Sequence, residues 1–588
     1  MYYWYKRVSM STKSRNKSAV NVTPTQRVAE FGSKTFCVEG GLFWCKVCDV
    51  PVDHVRKQTI SDHVQSAKHK AKNNKRQQQD ETGAGAPSAK RQATITGCQE
   101  RMTEASAAKE KLVLNLVEAF MSANIPLEKL DNPKMREFVN TSIKGGGGVP
   151  LANTLREKYV PKLYTTQREE MTSKLQGKKV AVIVDETTDT MGRYVVNVLM
   201  QPLDTFDGVA NCRALLVNTE FLNAVNNSTM AQVVIRSLTN MNIEFDNVLA
   251  FVSDNASYMK KCFQDGLKGI LRNAHHVTCW AHIVFLVGDE FRTALHLSDE
   301  LVATVKAIFS KAPGRRARYL NHLRQSNPEK VSLPPVPVIT RWNTWFEAAL
   351  YHGEHLDDYI SFVEAETEHG STQQLRKLSA LVNGEQLLEL RAELEFLAVH
   401  CERLIKILKS LESREFKAAD IYNKMRDLHA WLHNPGFPVA TTSCEDAMQN
   451  AAGKLSEYLE GNKQPAITLF KAVRVFDPRQ LPLLSHTLSE YVSIIPSFAA
   501  AADEWPVYID VVTQDLLPDD ILLFWQSMMQ QNRLTKLASL ARAYLAIPVA
   551  SVDVERSFSK HGSVLSPLRC ALAPDSLKAY CSVFYNNN

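Results

Sequence analysis

Two hydrophobic patterns alternate along the chain, and the places where one gives way to the other mark its organisation. In VAVIVDETTDTMGR (180–193), five apolar residues, Val180 to Val184, run directly into Asp185, Glu186, Thr187, Thr188 and Asp189. Such a run predicts a strand buried on both faces that ends in a polar turn. RYVVNVLMQPL and NCRALLVNTEFL follow as two more β-rich runs. STMAQVVIRSLTNMN has helical spacing, and NVLAFVSD is a second buried strand ending in an acid, Asp254. ASYMKKCFQDGLKGILRN predicts another helix, and HHVTCWAHIVFLVGDEF passes from strand into helix. Residues 298–542 are almost wholly helical in pattern, as in EQLLELRAELEFLAVHCERLIKILKSLESREF, and are numerous enough for an all-α domain. Upstream, 103–178 is helical with a break at Gly145–Gly148 and Pro150. No Lys-Ser/Thr follows those glycines, which excludes a phosphate loop. The stretch 77–102 has no periodicity and predicts a flexible linker.

Three strands, then helix–strand–helix–strand, is the order of an RNase H-like α/β layer. In that sheet the first and fourth strands are neighbours, so Asp185 and Asp254 would lie side by side. Adjacent carboxylates repel unless a cation such as Mg2+ or Mn2+ lies between them. Two such ions can clamp the attacking and leaving oxygens of a phosphodiester. A third acid is available in IPVASVDVERSFSKHGSVLSPLRCALAPDSL, where Glu555 sits on a predicted short helix whose Val554 and Phe558 turn inward. Taken singly, each acid is an ordinary strand-end or surface residue; it is the trio that points to chemistry.

GGLFWCKVCDVPVDHVRKQTISDHVQSAKHKAKNNKR carries Cys45-x-x-Cys48, then fourteen residues, then His63 and His69 with five between. The cysteines fit a knuckle after a short hairpin strand, and the histidines are placed on one helix. Two thiolates and two imidazoles at such separations make a tetrahedral Zn2+ site in a small ββα finger, with His54 as a competing ligand. The wide histidine spacing resembles U1-type and BED-like fingers.

Composition narrows the reading further. The content is 45% hydrophobic and 22% charged, which describes a globular protein of several domains. No apolar stretch reaches the ~20 residues of a membrane span, and the first residues lack a signal-peptide core. Eleven cysteines over 588 residues make no disulfide framework. The net charge is +6, and His54 to Arg76 alone holds seven cations against Asp62. Arg56, Lys57, Lys68 and Lys70 of that segment are candidate DNA contacts. Lys75-Arg76 with Lys90-Arg91 could form a two-part nuclear import signal.

Several motifs together carry a family resemblance: VDETTD (184–189), VSDNASYM (252–259), CWAH (279–282), TRWNTW (340–345) and VERSFSKHGSVLSPLRCAL (554–572). Residues 103–588 resemble a transposase of the hAT superfamily, whose Asp–Asp–Glu site is split by a large helical insertion. VTPTQRVAEFG, the finger and ANIPLEKLDNP (123–133) resemble the CGG triplet-repeat-binding protein family, a domesticated hAT N-terminus.

The resemblance implies the following. Asp185, Asp254 and Glu555 carry Mg2+ or Mn2+, and water activated there nicks DNA at an element's end. Trp342, after Arg341, stabilises a flipped base. Cys279 and His282 order the active site, although Val284-Phe285-Leu286 replaces the family's Leu-Asn-Leu. The segment after Glu555 implies homodimers or larger assemblies.

The expected organisation is a disordered basic N-terminus (1–30), a C2H2 finger (31–76), the linker (77–102) and a helical DNA-binding or assembly region (103–178). An RNase H-like core (179–297 and 543–588) follows, interrupted by the all-α insertion (298–542). Two functions fit a nuclear double-stranded-DNA-binding protein of this kind: an active cut-and-paste transposase, or a catalytically silent transcriptional regulator.

Overall fold

The computed structural model describes residues 22–81, 95–143, 148–203, 213–338, 344–413, 418–436, 441–514, 520–566, 569 and 572–587. It divides into two compact units, Met1–Thr103 and Glu104–Asn588. The protein is mostly helical, with one sheet in each unit. Among the described residues no helix is long and apolar enough to cross a membrane, and the cysteines are free thiols.

In the first unit, a capping box between Thr23 and Gln26 starts the helix Pro24–Phe31. The stretch expected to be disordered to residue 30 is therefore helical from Pro24 onward. Strands β1 (Phe36–Glu39), β2 (Leu42–Cys45) and β3 (Val50–Pro51) form an antiparallel sheet in that order. Gly40 and Gly41 both take positive φ at the β1–β2 turn, the geometry a two-residue hairpin needs. Helices Lys57–Gln65 and Ala67–Glu81 follow the sheet. The expected linker is trimmed at both ends, because one helix runs to Glu81 and the next spans Ile95–Ser122. Lys90 and Arg91 lie outside the described residues.

The second unit holds a five-stranded mixed sheet in the order β6-β5-β4-β7-β8. Its strands are β4 (Val180–Thr188), β5 (Tyr194–Pro202), β6 (Leu215–Leu222), β7 (Val248–Ser253) and β8 (His275–Thr278). The first three pair antiparallel, while β7 runs parallel to both β4 and β8. The capped helix Asn227–Asn240 makes the crossover from β6 to β7.

One expectation changes. β4 does not end at Asp185 but continues to Thr188, because β5 goes on pairing with it as far as Thr188↔Tyr194. Only β7 stops, at Ser253. Asp189 makes the turn, accepting from the backbone N–H groups of Met191 and Arg193.

Alternate residues of β4 face opposite layers. Val180, Val182 and Val184 pack with Met230, Val233 and Val234 of the crossover helix. Ala181 and Ile183 join the larger core, with Trp280 and Ile283 of helix Trp280–Ala294 and Val554 of helix Val552–Val564. Both edges of the sheet are closed by side-chain amides. Asn586 exchanges two hydrogen bonds with the backbone of Leu216 in β6, at 2.9 and 3.1 Å. Gln464, from the helical region, does the same to Thr278 in β8 at 3.0 and 2.7 Å. An unpaired strand edge is a template for aggregation, and these amides occupy both.

Candidate functional site

Chemistry concentrates in two places, one in each unit. In the first, Cys45 ends β2, Cys48 follows the knuckle, and the histidines come from two successive helices rather than one. On a continuous helix, residues six apart point about 120° away from each other. The break at Ser66 removes that conflict: its Oγ donates to the His63 carbonyl at 2.7 Å and accepts from the His69 N–H at 3.2 Å. The ligand atoms of Cys45, Cys48, His63 and His69 all lie within 4.8 Å of one another. His69 Nδ1 is 3.5 Å from Cys45 Sγ and 3.3 Å from Cys48 Sγ. A tetrahedral Zn2+ with ordinary bond lengths sets that S···N edge at about 3.5 Å. His63 Nε2 is buried without a hydrogen-bond partner, and burial holds both imidazoles below their usual pKa, in the neutral form that ligates. The four residues fit zinc. His54 is not among them; its carbonyl accepts instead from Arg27 Nε.

Around the finger, Arg56, Lys57, Lys68 and Lys70 are all exposed. Lys57 is committed to an ion pair with Glu30. The other three carry no ion pair among the described residues.

The second place is the β4–β7 junction. Ile183↔Val252 is the last paired position, so two residues beyond it Asp185, still within β4, and Asp254, one residue past the end of β7, fall on the face of the larger core. Helix Val552–Val564 packs over β4 and β5 and brings Glu555 to the same end. Asp185 is driven well above the usual carboxylate range by burial, then by the charges of Asp254, Glu186 and Glu555. Burial likewise raises Asp254, and raises Glu555 to about 7. Each acid has a local donor or partner: Glu186 N–H donates to Asp185, Ala256 N–H to Asp254, and His282 Nε2 stands 3.6 Å from Glu555 Oε1. Among the described residues the trio does not close into a ready ligand group as the finger does. Like charges stand off from one another. An all-oxygen set of mutually repelling carboxylates, with Glu555 Oε1 buried and without a hydrogen bond, suits a hard divalent cation.

Cys279 ties this end together. Its N–H donates to Ser253 O at 2.9 Å, its Sγ accepts from Ser551 N–H at 3.2 Å, and Trp280 N–H donates to Val549 O at 3.0 Å. The end of β7 and the segment leading to Glu555 are thus fastened to one residue. Burial disfavours charge on Cys279 and His282. Their mutual attraction outweighs it, lowering the thiol and raising the imidazole to about 10 with help from Glu555 and Asp185.

Sequence reasoning passed over Glu186, Asn197 and Ser557. Glu186 was assigned only to the turn, yet it is held by Tyr258 Oη, feels Asp254 and is raised to about 7, chiefly by burial. Asn197 lies opposite Asp185 on β5 and opposite Thr219 on β6. It accepts from Thr219 Oγ1 at 2.7 Å and donates to Ser557 Oγ at 2.8 Å, locking the Glu555 helix onto the sheet. Nothing local marks these residues, apart from a polar Asn in the middle of a largely apolar strand. Asn197→Leu would leave the Thr219 hydroxyl without its partner and Ser557 with only its bond to the Val554 carbonyl, and should cost roughly 1–3 kcal/mol. Urea unfolding of the full chain, followed by tryptophan fluorescence, checks this; a midpoint equal to wild type would contradict it. Arg341 and Trp342 lie outside the described residues.

Residues 18–75 match the model of the CGGBP1 N-terminal domain, and 103–162 that of the CGGBP1 helical domain. Residues 508–586 match the hAT family C-terminal dimerisation region. The chain is similar to CGG triplet repeat-binding protein 1 of Mus musculus and of Homo sapiens. Each is 34% identical over 161 residues, which is 27% of this chain and 92% of the relative.

Proposed function

This chain belongs to the family of CGG triplet repeat-binding protein 1 and ends in a hAT-type region, and from that premise we propose a nuclear, metal-dependent DNA transposase guided by its zinc finger. The observation that supports the reading is that Asp254 and Glu555, from distant segments, lie close enough to Asp185 at one end of a mixed sheet to act on its charge. On this reading the sheet is an RNase H-like core and residues 298–542 are its insertion. Asp185, Asp254 and Glu555 would hold Mg2+ or Mn2+, which when bound supplies Lewis-acid polarisation of a phosphodiester and an activated water. His282 keeps its proton at neutral pH and orients Glu555 through Nε2. Tyr258 orients Glu186, a carboxyl poised to hold or release a proton near pH 7. Arg341 and Trp342 are proposed to meet an extruded base. The C-terminal helices are proposed to join two or more copies.

Excision of a marked donor flanked by the element's own terminal repeats tests the activity. Wild type should excise, and Asp185→Ala should fall to background. A second reading, a silent regulator, is favoured by one observation: 27% of this chain accounts for 92% of relatives named for CGG triplet-repeat binding. DNA binding by a wild type that never excises would establish it.

The finger's unpaired cations make double-stranded DNA binding strongly salt-dependent. Replacing Arg56, Lys68 or Lys70 singly by Ala should lower the slope of log K against log salt by about 1 each. Lys57→Ala should change it less, since Glu30 already neutralises that charge. Fluorescence anisotropy across a salt series reads both, and equal slopes for all variants would refute the assignment.

A further inference from the structure

Next to the acids lies a cavity of about 620 Å³, within the range of pockets that seat small ligands. Lys260, Lys261 and Lys268 line it against a single acid, Asp265, and His275, His276 and Phe263 form an aromatic wall. The opposite wall comes from the helical region, at Asn462 and Pro465. Two links join this cavity to the acid cluster. Lys260 Nζ donates to Lys463 O at 3.3 Å, and its ammonium also feels Asp254, six residues earlier. His276 Nε2 is 2.9 Å from Ser253 Oγ, the residue just before Asp254, and its ring packs against Phe263 at 5.2 Å between centroids.

The lysines sit at positions 260, 261 and 268, so their charges are strung along the rim rather than gathered on one point. A free nucleotide's phosphates want a converging nest of donors, commonly a Gly-rich loop before a helix. Spaced cations beside flat rings suit the successive phosphates and a base of a single strand. Lys261 and Lys268 are exposed and carry no ion pair among the described residues, leaving their charge for a ligand.

We propose that this cavity seats a single-stranded phosphodiester segment of DNA, leading from the Lys261–Lys268 rim past Lys260 to Asp254. The inference rests on the DNA-processing reading above, and a position-resolved test separates the two. The full chain is photo-crosslinked to a short single-stranded oligonucleotide carrying iododeoxyuridine, and the modified peptides are mapped by mass spectrometry.

Wild type should yield crosslinks within residues 260–276. The double variant Lys261→Glu/Lys268→Glu should lose them by roughly fivefold or more, with finger crosslinks unchanged. Both lysines are at the surface, and the milder Lys261→Gln/Lys268→Gln, expected to lose less, guards against a folding artefact. Crosslinks confined to the finger would overturn this inference and leave DNA binding standing. Crosslinks nowhere would overturn both. Loss of the 260–276 crosslinks to excess ATP, but not to excess unlabelled oligonucleotide, would overturn the strand in favour of a nucleotide pocket.

Discussion

Cys48→Ser is expected to unfold the finger and to remove sequence-specific DNA binding while leaving the second unit folded. The reason is the size of the core beneath it. Its fully buried apolar residues are Phe36, Phe43, Cys45, Cys48 and Ile60, and two of these five are themselves ligands. A core of that size cannot offset the ordering of some fifty residues without a staple. Structural zinc contributes on the order of 10–16 kcal/mol in small fingers. Losing one thiolate also leaves His63 Nε2 buried without compensation. Chelation of the wild type should reproduce the variant, and zinc should restore the first and not the second. Circular dichroism with a colorimetric zinc assay gives folding and metal together. A Cys48→Ser protein that binds DNA as tightly as wild type at the same salt would end the argument.

Asp185→Asn should do two opposite things: abolish excision and stabilise the second unit at neutral pH. The sign follows from the carboxyls. Asp185, Asp254, Glu186 and Glu555 all titrate higher in the fold than in the unfolded chain, the two glutamates at about 7. Groups shifted upward contribute stability that is fully present below their unfolded values near 4 and lost as pH rises through the folded ones. His282, raised to about 10, keeps its contribution below the unfolded imidazole value near 6.5 and loses it as pH climbs toward 10, in the same direction as the carboxyls. Wild type should therefore weaken relative to Asp185→Asn as pH rises from 5 to 8. Mg2+ should narrow the gap by binding the folded wild type. Thermal melts at both pH values, with and without Mg2+, supply the comparison. A wild-type advantage that grows toward pH 8 without added metal would contradict it.

How much of this was legible beforehand depended on distance along the chain. The zinc ligands are crowded into 25 residues, so identity and spacing sufficed, although the Ser66 break that makes the spacing work did not show. The strand order was readable from runs of Val and Ile, because a strand buried on both faces has few alternatives. Where β4 ends was not readable, since that depends on how far β5 goes on pairing. Thr23 and Gln26 spelled a capping box in the open, and the basic, polar surroundings hid it. Asn197 and Ser557 were beyond reach, their hydrogen bond joining positions 360 residues apart.

That separation also governs when the site can exist. A ribosome adding 5–20 residues per second needs roughly 20–70 s to pass from the Asn197 codon to that of Ser557. During that interval Asp185 is already synthesised, but Glu555 and the helix that roofs β4 and β5 are not. The nascent sheet has one apolar face without its C-terminal cover and a β6 edge still lacking Asn586. A half-made chain therefore exposes apolar surface of the kind chaperones bind, and it has no complete acid trio. Any message or proteolytic fragment ending before residue 552 lacks the trio in the same way.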